Sequence, residues 1–141
     1  MLKKYITSFV MLLLFCSLSA QSITGKWKTI DDNTGQAKSI VEIYESEGKI
    51  YGKIIELIKP KVENPICTEC KGKDKDKPIV GLQIIDGLTK DDDVYNDGEI
   101  LNPENGKVYK CQLKLDDNND TLQVRGYIAF FYKTQYWKRI K

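Results

Sequence analysis

Cys67-Thr68-Glu69-Cys70 is the motif in this chain whose residue types and spacing could do chemistry. A dithiol at this spacing can be a redox couple, half of a zinc site, or a structural disulfide. Redox work needs a thiolate stabilised at a helix N-terminus within a βαβ setting. Here Cys70 runs into Lys71-Gly72-Lys73-Asp74, a poor helix start, although the lysines could lower a thiol pKa. A zinc site needs four ligands. The chain has no histidine, Cys111 is the remaining sulfur beyond the leader, and a carboxylate would have to complete the set. A Cys67–Cys70 bridge closes a very small loop, so its effect is expected to be local. An odd thiol is left over in any single pairing, and the sequence does not settle the connectivity among Cys67, Cys70 and Cys111.

Other chemistry finds little purchase. The absence of histidine removes the commonest general base, and no nucleophile–base pair can be read. The expectation is a protein that is not an enzyme, with no cofactor and no bound metal. Asp91-Asp92-Asp93 and the acidic run from Asp116 to Asp120 lack the spacing and closing glutamate of a calcium loop, and read as turns. Lys71 to Lys77 alternates basic and acidic residues and reads as a solvated, mobile loop, with contact to a membrane surface or anionic polymer as the lesser reading. Tyr44, Tyr95, Tyr109, Tyr127 and Trp137 sit on predicted strands. They could line a ligand cavity with apolar bodies and a few hydroxyls. They could equally fill a narrow interior, and the little room in a small barrel favours filling.

The compartment bears on the cysteines. Lys3 and Lys4, the apolar run Ile6 to Leu14 and the small residues Ser17 to Ala20 read as an export signal over residues 1–20, cleaved before Gln21. The apolar run is too short for a membrane span. Phe15 before Cys16 argues against a lipid-modified cysteine. Export, to the periplasm or out of the cell, permits a disulfide, and this favours the structural reading of Cys67 and Cys70. The formal net charge of +2 belongs to the two leader lysines, so the mature chain is neutral. A neutral exported domain has no general pull toward nucleic acid, and that class is excluded. Residues 21–141 form one domain, expected to be a monomer.

The elements that must position these residues are strands throughout. Apolar and polar residues alternate over Gly25–Ile30, Lys38–Glu45, Lys49–Ile58, Ile79–Ile85, Val94–Leu101, Lys107–Leu115, Thr121–Ile128 and Gln135–Ile140. Turn residues separate them, and Lys59 to Lys77 forms one long polar loop. Cys111 alternates with Tyr109, Leu113 and Leu115 and so points to the apolar side. The reading is all-β: a single antiparallel up-and-down β-barrel of about eight strands, whose closure removes exposed edges. Gly25, Trp27 and Arg139 are expected to seal one end, with the guanidinium on the indole face and Arg125 as a rival cation.

Gly25-x-Trp27, Val41-x-Ile43-Tyr44, Tyr51-Gly52-Lys53-Ile54, Lys77 to Leu82, Leu101 to Lys107 with Tyr109, Leu122-x-Val124-Arg125-Gly126-Tyr127 and Thr134-Gln135-x-Trp137-x-Arg139 occur in this order. In that pattern the chain resembles a bacterial exported family known as domain of unknown function twenty-one forty-seven. The resemblance covers essentially the whole mature chain and implies a lipocalin-like barrel. It brings no activity, substrate or catalytic residue. The leading expectation is a small apolar or amphipathic ligand entering an end gated by the 59–77 loop. One alternative is a filled barrel that meets an envelope protein partner or the cell surface through that loop or the rim. The other is a weak thiol-redox protein using Cys67 and Cys70.

Overall fold

The computed structural model describes residues 22–141; the expected export signal and Cys16 lie outside the described residues. Eight strands follow one another: β1 Gly25–Ile30, β2 Ala37–Ser46, β3 Lys49–Leu57, β4 Gln83–Asp91, β5 Val94–Asn102, β6 Lys107–Leu115, β7 Thr121–Ile128 and β8 Phe131–Arg139. Each pairs antiparallel with the next, and β1 returns to β8 through Trp27 opposite Arg139 and Lys28 opposite Lys138. The result is a closed up-and-down barrel, the all-β class expected from the alternation. No helix of the described residues is long and apolar enough to cross a membrane.

Side-chain parity builds the core. On β2, Ser39, Val41 and Ile43 are buried; on β6, Cys111 and Leu113; on β7, Leu122 and Val124. The intervening residues face water, as a period of two requires. Trp27 is fully buried and its indole N–H donates to the Ile23 carbonyl at 2.8 Å. The Arg139 guanidinium lies 4.3 Å from the Trp27 ring centroid. It also donates to the carbonyls of Asn119 (2.7 Å), Thr24 (3.2 Å) and Ser22 (2.8 Å). One side chain therefore ties the N-terminal segment, the β6–β7 turn and the last strand across one end. Gly25 has φ 128°, and a Cβ there would stand 3.3 Å from the Arg139 guanidinium, so glycine meets both demands. Arg125, the rival cation, lies over Tyr132 at 4.8 Å instead.

Two expected strands are displaced. β4 was expected over Ile79–Ile85 but runs from Gln83 to Asp91. Pro78 is taken by a bridge to Ile66, and the Ile79 N–H donates to the Pro65 carbonyl, so this stretch belongs to the loop. Asp86-Gly87, a turn signal by composition, sits inside the strand, with Asp86 paired to Glu99. β8 was expected over Gln135–Ile140 but begins at Phe131 and ends at Arg139. Its turn, Ala129-Phe130, carries no turn residue, although Ala129 takes φ 49°.

The 58–82 connection is solvent-exposed around Lys71–Lys77, as expected, but it is folded on itself. Cys67 N–H donates to the Lys77 carbonyl at 2.7 Å and Asp76 N–H to the Cys67 carbonyl at 2.9 Å. A short 3-10 turn covers Gly72–Asp74. Charge alternation gave no hint of this, because the ordering comes from main-chain bonds and the buried cysteines.

Candidate functional site

The connections after β1, β3, β5 and β7 gather at the end opposite Arg139, and there the barrel is hollow. A cavity of about 770 Å3 is lined by the mouth halves of the strands and by the loops above them. Its apolar wall includes Ile54, Leu57, Ile84, Ile100, Leu101, Val124 and Trp137, with Ile66 and Ile79 contributed by the long loop. The expectation that the interior is filled does not hold: bulky side chains concentrate in the closed half, around Trp27, Leu88, Leu113 and Leu122, and leave the mouth half open.

Polar groups form two strands of contact within this wall. Trp137 Nε1 donates to Gln135 Oε1 (3.2 Å), and Gln135 Nε2 donates to Asp32 Oδ2 (3.1 Å). The same Asp32 oxygen pairs with Lys133 Nζ at 3.0 Å. A polar relay thus rises from the cavity wall to the rim. Thr29 and Ser39 hydroxyls bond each other at 2.7 Å between the adjoining strands β1 and β2, satisfying both where they are buried. Asp31 accepts N–H bonds from Asn33 (2.8 Å) and Thr34 (3.0 Å). Those two bonds hold its carboxyl below the usual carboxylate range.

The long loop closes part of the mouth. Cys67 and Cys70 form a disulfide and are both buried. Zinc and free-thiol readings of the pair therefore lose their ligands to the sulfur–sulfur bond. Cys67 Sγ lies 3.5 Å from the Pro103 carbonyl oxygen. A Cβ on Gly106 would run into the Glu69 carbonyl oxygen, so the loop rests directly on the β5–β6 turn. Gly106 also has φ 69°, which suits glycine. Lys38, at the start of β2, forms an ion pair with Glu104 in that turn, across the mouth from it. Cys111 is unpaired and buried on β6; burial pushes its thiol up to about 12.

Of the five aromatics expected to line the cavity, Tyr109 and Trp137 do so. Tyr44 lies on the outer face, stacked on Tyr51 with ring centroids 5.8 Å apart. Tyr127 also faces outward, between inward Gly126 and Ile128, and its hydroxyl donates to Gln112. Tyr95 packs against the core below the cavity. Aromatic type was a poor guide; strand parity and distance from the mouth decide the lining. The aliphatic residues that sequence reading missed come from the mouth halves of the strands and from the long loop. Among the described residues, no three His, Cys, Asp or Glu side chains gather to hold a metal.

No curated protein matches this chain. Among solved structures, a Helicobacter pylori protein described as belonging to the lipocalin family superposes with a TM-score of 0.74. The two are 22% identical, and the match covers 85% of this chain and 84% of that one. At that identity the likeness establishes the fold: a lipocalin-like barrel. The family described as "Uncharacterized protein conserved in bacteria (DUF2147)" matches residues 25–139, nearly all of the described chain, and this protein belongs to that family.

Proposed function

We propose that this protein is an exported, non-enzymatic, monomeric barrel that holds one small amphipathic ligand. The observation that carries the reading is the cavity of about 770 Å3, open at one end and apolar within. Ligand pockets in proteins run from about 300 to 1,000 Å3 and combine an apolar wall with a few placed polar groups. The Gln135–Asp32–Lys133 relay and the Lys38–Glu104 pair supply polar groups at the rim, and the aliphatic wall takes the apolar body. The disulfide supports an oxidising compartment. The closed ladder leaves no free sheet edge to recruit a second chain. Burial of both bridged cysteines favours a structural role over thiol exchange.

The test is displacement of a fluorescent fatty-acid analogue from the purified protein. Wild type should bind the probe at micromolar concentration or better. Ile100→Trp, which places an indole in the cavity wall, should weaken binding by at least about tenfold, the order expected when pocket volume is taken. Probe binding unchanged by Ile100→Trp would place the probe elsewhere and end the reading.

A further inference from the structure

The seams between the strands are not all zipped to the same height. β1 pairs with β8 at Trp27–Arg139 and Lys28–Lys138, both beside the sealed end. Continued register would set Thr29 against Trp137 and Ile30 against Tyr136, and neither pair forms among the described residues. Strand length contributes: β1 has six residues and turns back at Asp31, whereas β8 has nine and starts on the rim at Phe131. The β1–β2 ladder also shifts register between Thr29 and Ile30, and a bulge kinks a ladder locally. The seams on either side reach the rim, through Ile30–Ala37 and Ile128–Phe131. The sparse β3–β4 seam is carried upward by main-chain bonds, Ile54 N–H to the Leu82 carbonyl at 3.0 Å and Gly81 N–H to the Ile54 carbonyl at 2.6 Å.

Side chains close the β1–β8 seam above Lys28. Lys133, Gln135 and Trp137 alternate along β8 on its cavity face. The β1–β2 turn brings Asp32 to the same lining. Gln135 Nε2 and Lys133 Nζ both end on Asp32 Oδ2, at 3.1 and 3.0 Å. One exposed carboxylate therefore holds the turn against β8, and the turn covers this stretch of the strand. Exposed contacts of this kind are weak. The turn itself is braced from within: Asp31 N–H donates to the Gln36 carbonyl and Gly35 N–H to the Asp31 carbonyl, each at 2.8 Å. It can move as one piece about the bulge at its base. The long-loop side of the mouth is fixed by contrast, through the Cys67–Cys70 bridge, its main-chain bonds and the Gly106 contact.

We infer that the β1–β8 seam is a side entrance to the cavity and that Asp32 is the latch that holds it shut. The inference rests on the cavity holding a ligand, as proposed above. Swinging the 31–36 turn away from β8 slots the barrel wall from the rim down toward Lys28. The slot opens directly onto Ile30 and Trp137, both part of the lining, so an apolar chain meets cavity wall as soon as it enters. Opening breaks the two contacts to Asp32 and no strand pairing, because none joins Thr29 or Ile30 to β8. Local openings follow the cheapest set of contacts to break, and gating motions of loops set entry and release rates. Asp32 thus acts on the passage of ligand by positioning the turn.

Stopped-flow mixing with the fluorescent fatty-acid analogue tests it. Asp32→Ala should raise the association and release rates together, each by about fivefold, the order expected from losing weak bridging contacts. The two changes largely cancel in Kd. A faster release with unchanged association would make Asp32 a ligand contact and overturn the latch. Lys114→Ala, which cuts an exposed ion pair with Asp93 at the sealed end, should leave both rates as in wild type. Asp32→Cys with Gln135→Cys, joined by a short bifunctional thiol reagent, should slow both rates by about tenfold or more, as a blocked gate does. Cys67 and Cys70 are bridged and Cys111 is buried, so the reagent meets the two introduced thiols. Without ligand, Asp32→Ala should speed hydrogen exchange over residues 29–36 and 131–136 and leave β6 unchanged; exchange as in wild type there overturns the inference. If wild type binds no probe, the cavity reading and the entrance fall together. Probe binding with wild-type rates in Asp32→Ala, or fast loading of the cross-linked protein, removes the entrance and leaves the cavity reading standing.

Discussion

Arg139 serves as a joint because a guanidinium can present a flat face and several N–H donors at once. It stacks on Trp27 and reaches three carbonyls from two separate segments. Lysine offers one point charge and cannot reproduce this geometry. Arg139→Lys should therefore cost about 1 to 3 kcal/mol in urea unfolding, the range for losing charged hydrogen bonds together with a ring contact. Cys111 makes a different residue-scale case. Its thiol has pKa 9.0 in the open chain and about 12 when folded, because burial disfavours the thiolate. Above pH 9.0 the unfolded chain releases a proton that the folded chain keeps. Stability then falls as pH rises, by about 1.4 kcal/mol per pH unit, until the folded pKa is reached. Cys111→Ala should flatten that part of the alkaline unfolding curve. Native protein should resist alkylation at pH 8, while urea-unfolded protein labels readily; rapid labelling of the native form would contradict the burial.

At the scale of elements, the loop over the mouth is held by its contact with the β5–β6 turn. Gly106→Ala puts a methyl group where the Glu69 carbonyl stands and adds a side chain at φ 69°. The expected outcome is an undocked loop: faster proteolysis within 58–82 with the barrel intact by circular dichroism. Cys67→Ser with Cys70→Ser should move proteolysis the same way and cost under about 2 kcal/mol globally, since the bridged loop is so short. The strands themselves were legible from alternation: β1, β6 and β7 match residue for residue, β3 and β5 differ by one position at one end, and β2 by one at each end. β4 was not, because Pro78 and Ile79 have strand-like composition yet bond within the loop. The β7–β8 turn was hidden because Ala129 adopts φ 49° without the glycine or asparagine that normally announces it. Closure by Gly25, Trp27 and Arg139 could be read because it uses rare residue types at the chain's two ends. The cavity could not, because its wall is ordinary aliphatic strand, and whether such a wall encloses space depends on bulk on the far side of the barrel. Ala129→Gly should raise stability or leave it level, since relief of a left-handed alanine of about 1 kcal/mol opposes the added backbone entropy.

The whole molecule divides along its axis into a packed half and an open half. The packed half holds Trp27, Val41, Ile43, Leu88, Leu113 and Leu122, all essentially without exposure. The open half holds the cavity, the long loop and the exposed hydrophobic tips. Every strand passes through both halves, so each one carries its own internal comparison. Amides that need global unfolding to exchange belong where opening must expose the most apolar surface, and amides near a hollow or a rim exchange through smaller openings. Hydrogen exchange should therefore change along single strands: slow at Trp27 and fast at Ile30 on β1, slow at Leu113 and faster at Tyr109 on β6, slow at Leu122 and faster at Ile128 on β7. A ligand that fills the cavity should slow the mouth amides first, because it supplies the missing contacts there. Its effect on Trp27 and Leu113 should follow only the rise in global stability, RT ln(1 + [L]/Kd). Uniform protection along β6 and β7 in the unliganded protein would show that the hollow half is as resistant to opening as the packed one, and the division into a sealing half and a binding half would fail.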